Sequence, residues 1–129
     1  PREGNGRPRL DCGPRALVAL GRRTGRVIDL RRATELCETD EHGTTLDRLT
    51  GAANRLGLRA RAAKVDTAAL ATRRLRGIAW MGGLHYVAFA PEGGVRYRID
   101  DPNETAPRFM SAAELRRACQ GVVMLVSGE

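Results

Sequence analysis

Cys12, His85 and Asp101 are the side chains in this sequence best suited to work together as a reagent. Cys12 stands in Leu10-Asp11-Cys12-Gly13-Pro14, just ahead of Ala16, Leu17, Ala19 and Leu20, which recur at helical spacing. Gly13 permits a tight turn and Pro14 suits the first helical position, so a helix is predicted to start directly behind the sulfur and run from Gly13 to about Arg23. Unpaired N–H groups and the positive end of a helix dipole favour a thiolate over a thiol, which is the chemistry of a nucleophile. The competing reading is a small buried hydrophobe.

A nucleophilic thiol needs a base, and the chain has two histidines. His42 falls in the charged loop from Glu38 to Gly43 and reads as a solvated side chain. His85 is better placed, near the start of the apolar run Leu84-His85-Tyr86-Val87-Ala88-Phe89 and straight after Gly82-Gly83. Gly82 and Gly83, without side chains, leave room for another chain to approach, and these two with the adjoining Tyr86 are the expected substrate contacts. The alternative is a strand histidine satisfied in the core. The acidic pair Asp100-Asp101 ends the next predicted strand, across a turn at Gly93-Gly94. Antiparallel pairing that opposes Asp101 to His85 centres the turn on Gly93 with Glu92-Gly93-Gly94 as its loop, and a one-residue shift opposes Asp100 instead. Either carboxylate can accept a hydrogen bond from the ring, hold its tautomer and stabilise the imidazolium.

The elements that must hold these groups follow from periodicity. Asp29 is a predicted cap for a short helix with Leu30, Ala33, Leu36 and Cys37 on one face. Thr44 or Thr45 caps a third helix carrying Leu46, Leu49, Ala53 and Leu56 and ended by Gly57. From Leu58 the pattern changes to that of a half-buried strand, with Leu58, Ala60 and Ala62 on the inward face alternating with Arg59, Arg61 and Ala63, after which Asp66 caps a short helix reaching about Leu75. Ile78–Met81, Leu84–Ala90, Val95–Asp100 and Val122–Val126 read as strands, and Ser111-x-x-Glu114 is a capping box opening a last short helix. Helices first and antiparallel strands afterwards predict an α+β fold.

At 129 residues the chain is expected to form one domain over residues 10–129, preceded by an extended Gly/Pro/Arg-rich arm over residues 1–9. The sequence opens on Pro1 without an initiator methionine, as expected of a domain cut from a longer chain. The net charge of +7 comes from 21 arginines and one lysine, Lys64, scattered through every element without an aromatic platform, so no nucleic-acid partner is expected. The three cysteines form neither a disulfide framework nor a C-x-x-C metal site. Cys37 and Cys119 read as structural, a reducing compartment is expected, and no cofactor or metal is called for. No apolar run is long enough for a membrane span, and no signal peptide is apparent.

Taken together, Asp11-Cys12-Gly13-Pro14, Gly43-Thr44-Thr45-Leu46, Ala52-Ala53-Asn54-Arg55-Leu56-Gly57-Leu58, Leu84-His85-Tyr86-Val87, Asp101-Pro102 and Gly121-Val122-Val123-Met124-Leu125 resemble the bacteriocin-processing, double-glycine leader peptidases over roughly residues 6–127. The resemblance implies a papain-like cysteine protease fold. It makes Cys12 the nucleophile, His85 the general base and acid, and Asp101 the residue that orients the ring. It also implies cleavage of a peptide precursor after a Gly-Gly pair, with the precursor's amphipathic leader docked in an apolar groove. By the same resemblance the domain is cytoplasmic and works at the inner face of the membrane when joined to the transmembrane and ATPase regions of an ABC exporter. Two positions depart from the family: Cys119 stands where it tends to carry a tryptophan two residues before the glycine, and the oxyanion position differs. A glutamine six residues before the cysteine normally helps hold the oxyanion, and this chain has Gly6 there, with the amide of Asn5 adjacent. Loss of such a donor costs about 3 kcal/mol, which keeps two other functions open: a leader-binding module that no longer cuts, and a papain-like hydrolase or acyltransferase acting on another amide.

Overall fold

A computed structural model describes residues 11–38, 43–82, 85–94 and 96–127. Among these described residues five helices and six strands follow the order α1 (Cys12–Arg23), α2 (Leu30–Cys37), α3 (Leu46–Arg55), β1 (Ala60–Lys64), α4 (Thr67–Thr72), β2 (Gly77–Trp80), β3 (Tyr86–Glu92), β4 (Arg96–Asp100), β5 (Arg108–Ser111), α5 (Ala112–Cys119) and β6 (Val122–Val126). The expected α+β fold is present. The sheet is antiparallel at every pairing, in the order β1-β6-β2-β3-β4-β5.

Local chemistry places most boundaries. The side chains of Asp29, Thr45 and Asp66 accept from the backbone N–H three residues on and so start α2, α3 and α4. Ser111 and Glu114 form a reciprocal capping box at α5. Helix α4 stops at Thr72, short of the expected Leu75, and the link that follows carries Arg74 in the left-handed region at φ 49°.

Helices cover both faces of the sheet. One core packs Leu17, Leu20 and Leu49 from α1 and α3 against Ile78, Tyr86, Ala88 and Met124. The other packs Leu70 and Leu115 from α4 and α5 against Val87, Phe89, Ile99 and Val123. Strands β2, β3 and β6 are therefore apolar on both sides, which explains why they read as continuous runs without alternation. Close approach is tightest at Gly77. A Cβ on Gly77 would lie 1.9 Å from the Met124 carbonyl oxygen, so only glycine lets β2 sit against β6.

Three expectations are corrected. Strand β1 is an exposed edge, with Ala62 facing solvent where alternation placed it inward. Strand β5 carries no strong apolar pattern and was not expected. The β3–β4 turn is centred one residue later than Gly93, because β3 continues through Pro91 and Glu92 and pairs Glu92 with Arg96. Beyond Phe89, β3 has no β2 partner, so a proline is tolerated there.

Candidate active site

The first turn of α1 presents the thiol. Cys12 is the first helical residue and is 2% exposed, and the Asp11 carbonyl accepts from Arg15 N–H at 3.0 Å. A Cβ on Gly13 would come within 3.1 Å of the Thr44 Cβ, so glycine lets the helix start settle onto that residue. The Thr44 carbonyl in turn accepts from the Tyr86 hydroxyl at 2.8 Å. Helix start, α2–α3 loop and β3 are thereby tied together around the sulfur.

His85 sits at the mouth of the β2–β3 hairpin, one residue before β3. Its carbonyl accepts from Met81 N–H at 2.8 Å, and its own N–H donates to the Gly82 carbonyl at 3.1 Å. Gly82 adopts φ 99°, a conformation that closes this tight turn without a side-chain clash. The ring points Nδ1 at Cys12 Sγ, 3.7 Å away, and Nε2 at Asp101 Oδ2, 3.0 Å away. An ionised carboxylate can only accept, so Nε2 carries the hydrogen and Nδ1 turns its lone pair to the thiol.

Asp101 is the first residue past β4, and its side chain is 7% exposed. Oδ1 accepts from Asn103 N–H at 2.9 Å, while Oδ2 accepts from His85 and, at 3.4 Å, from Arg108 Nη2. Asp100 turns elsewhere and pairs with Arg98 at 3.2 Å, so the ambiguity between the two carboxylates resolves to Asp101 as the histidine's neighbour. The register places Asn103, not Asp101, opposite His85 by continuation of the β3–β4 pairing, and Asp101 reaches the ring as a diagonal neighbour.

His85 is half-buried, and its pKa lies above the usual histidine value. The hydrogen bond with Cys12 is the largest cause and the charge and hydrogen bond of Asp101 add to it, while burial opposes them. Cys37 and Cys119 are fully buried, and burial pushes the Cys37 thiol up to about 12 and raises that of Cys119. Tyr86, an expected substrate contact, is 3% exposed with its hydroxyl committed to Thr44. Asn5, Gly6, Gly83 and His42 lie outside the described residues. Among the described residues no cluster of His, Cys, Asp and Glu side chains could hold a metal ion.

Two neighbours escaped sequence reasoning. Asn103 brings its side-chain Nδ2 to 3.5 Å from His85 Nδ1, and Arg108 arrives on the unexpected β5. The only sequence signal for Asn103 was its place two residues after the aspartate, in an Asp-Pro turn.

The arrangement can polarise a thiol and relay its proton, and the family comparison agrees: the model of the peptidase C39 family matches residues 8–129. The chain belongs to the peptidase C39 family. Solved structures show the same fold. The peptidase domain of Streptococcus ComA, a bifunctional ABC transporter involved in a quorum-sensing pathway, is 23% identical over 93% of each chain, with a TM-score of 0.73. A double-glycine motif protease from an AMS/PCAT transporter, in complex with the leader peptide, is 20% identical over 92% of this chain and 85% of its own, with a TM-score of 0.74. The peptidase domain of Streptococcus mutans ComA is 22% identical over 94% of each chain, with a TM-score of 0.68. No curated protein sequence matches significantly. Membership of the C39 family makes the Cys12–His85–Asp101 arrangement that of a cysteine peptidase. Among the described residues, no helix is long and apolar enough to cross a membrane.

Proposed function

We propose that this C39 domain cuts a peptide precursor after a Gly-Gly pair at the end of its leader, with Cys12 as nucleophile, His85 as base and acid, and Asp101 as the group that orients the ring. The observation that carries this reading is the continuous Cys12–His85–Asp101 contact within a C39 chain. Cys12 Sγ passes its proton to Nδ1 and forms a bond to the carbonyl carbon of the second glycine. The N–H groups at the start of α1 face the resulting oxyanion. Collapse of the tetrahedral intermediate breaks the C–N bond, and Nδ1–H protonates the departing amine, leaving a thioester on Sγ. Water then gives a proton to Nδ1 and its oxygen to the acyl carbon, and the thiolate leaves.

A groove of about 430 Å³ runs from Asp101 along α1 and supplies a place for the leader. Val18, Ala19 and Leu30 provide apolar contacts, and Arg15 and Arg22 stand on the same side. Asp100, Asp101 and Glu104 line the groove as well, so it offers a leader groups of both charges. The relatives support the assignment by name, one being a domain of an ABC transporter and another having been solved with its leader. On this reading residues 10–129 form one peptidase domain on the cytoplasmic side of an exporter, residues 1–9 are an arm leading to the thiol, and Gly82 borders the scissile pair.

Incubation with a Gly-Gly precursor tests the reading. The protein is expected to release the leader, and the Cys12→Ala variant to bind without cutting. Cleavage that survives the substitution would sink the thiol mechanism, and binding without cleavage by the unmodified protein would favour a leader-binding module.

A further inference from the structure

The arginines that look scattered in the sequence converge at the end of the sheet opposite the thiol. Arg59 immediately precedes β1, Arg61 lies on it, and Arg73, Arg74 and Arg76 occupy the link from α4 to β2. All five line one cleft of about 510 Å³. The end of β6 brings them together: Ser127 N–H donates to the Arg59 carbonyl and Val126 N–H to the Arg76 carbonyl, each at 3.0 Å, so the two residues flank the same strand terminus. A second cleft, sharing Arg59 and Arg76 and adding Arg26, continues the surface.

Among the described residues these charges lack counter-charges. Among the described residues, no Asp or Glu lines either cleft, and none of the six arginines takes part in a salt bridge. Hydrogen bonding occupies only part of the cluster, with Arg74 Nη1 donating to the Gly93 carbonyl and Arg76 Nη1 to the Arg23 carbonyl. Several guanidinium groups around one concavity focus a positive potential there, which favours the entry of an anion. Arg74 keeps its place through left-handed backbone that a non-glycine residue seldom adopts. The planar guanidinium offers paired N–H donors that match the oxygens of a phosphate, and the cleft volume lies in the range of small-molecule sites.

We propose that this cleft binds a phosphate-bearing anion, held by Arg59, Arg61, Arg73 and Arg76. The site is separate from the thiol. Helix α1 runs from Cys12 at one end to Arg23, whose carbonyl Arg76 contacts, at the other, a length of about 17 Å at 1.5 Å per residue. Binding and cleavage can therefore be read independently.

The test measures binding of inorganic tripolyphosphate and of ATP by calorimetry, and sedimentation with vesicles of phosphatidylglycerol in phosphatidylcholine, each at low and high salt. The unmodified protein is expected to bind at least one of these probes, and which arm responds tells a free polyphosphate from a lipid headgroup. Arg59→Gln/Arg76→Gln is expected to weaken binding about tenfold or more, as for loss of charge-assisted hydrogen bonds, with precursor cleavage unchanged. Arg116→Gln/Arg117→Gln removes the same charge from α5 and should leave affinity within about twofold, because no specific contact is lost. Arg61→Gln, on exposed β1, serves as a mild variant and should weaken binding even if the double variant fails to fold. Absence of binding in every arm would overturn the proposal. So would equal loss in the cleft and α5 variants, since that is the response of net charge alone.

Discussion

Replacing Asp101 by asparagine changes one atom of the site and leaves no good arrangement for it. In the native protein Oδ1 accepts from Asn103 N–H, and Oδ2 accepts from His85 Nε2 and Arg108 Nη2. All three partners are donors, and an asparagine has one acceptor oxygen. If that oxygen stays with Asn103, the amide NH2 faces His85 and Arg108. The imidazole must then carry its hydrogen on Nδ1, which removes the lone pair directed at Cys12. If the amide flips, its NH2 meets the Asn103 N–H instead. A hydrogen bond to a charged group is worth about 1.5–3 kcal/mol, which sets a floor of about 10- to 100-fold in rate. The tautomer penalty adds to this, and the same exchange in serine triads costs about 10⁴-fold. With His85 at 31% exposure, water can partly replace the lost partner, so kcat/KM for a Gly-Gly precursor is expected to fall about 10²- to 10⁴-fold. The loss should appear in kcat, because the aspartate does not touch substrate. Asp100→Asn is the control and should stay within about twofold, since that carboxylate pairs with partly exposed Arg98. Steady-state kinetics on both variants, with circular dichroism to confirm folding, decide the matter. A folded Asp101→Asn enzyme within about threefold of the unmodified one would refute the orienting role.

The raised pKa of His85 makes folding depend on pH: its stabilising contribution is complete below about 6.5, the unfolded value, and is lost as pH rises through the folded one. The difference in melting temperature between the unmodified protein and His85→Gln should therefore shrink from pH 6 to pH 9, and a growing difference would contradict the assignment. Gly77→Ala forces a Cβ into the Met124 carbonyl and should cost about 3 kcal/mol or more, read as a drop in melting temperature of about 10 °C or as failure to fold; an unchanged melt would mean that β2 can retreat from β6. Cys37 and Cys119, buried and with raised pKa values, should resist iodoacetamide at pH 7.5 until the protein is unfolded, leaving Cys12 as the first site alkylated; mass spectrometry showing prompt modification of either would refute this.

Short-range chemistry was legible in the sequence. Helix starts at Asp29, Asp66 and Ser111 appear where capping side chains stand, because a cap acts within three residues of itself. The thiol at a helix start and the histidine beside glycines could be singled out for the same reason, and the spacing of family motifs supplied the rest of the reading. Whatever depends on which strands meet was not legible. The choice between Asp100 and Asp101 turned on where β3 ends, and β3 ran through a proline that reads as punctuation. Asn103 and Arg108 join the site only because the chain turns after Asp101 and returns as β5. The arginine cleft makes the same point at the other end of the sheet. Arg59, Arg61, Arg73, Arg74 and Arg76 show no pattern along the chain, and the antiparallel placement of β6 between β1 and β2 gathers them around one strand terminus. The sequence by itself determined which groups were the candidates for chemistry and where helices begin. Tertiary structure alone decided which carboxylate meets the imidazole and which charges share a surface, because strand pairing joins residues whose separation carries no local signal.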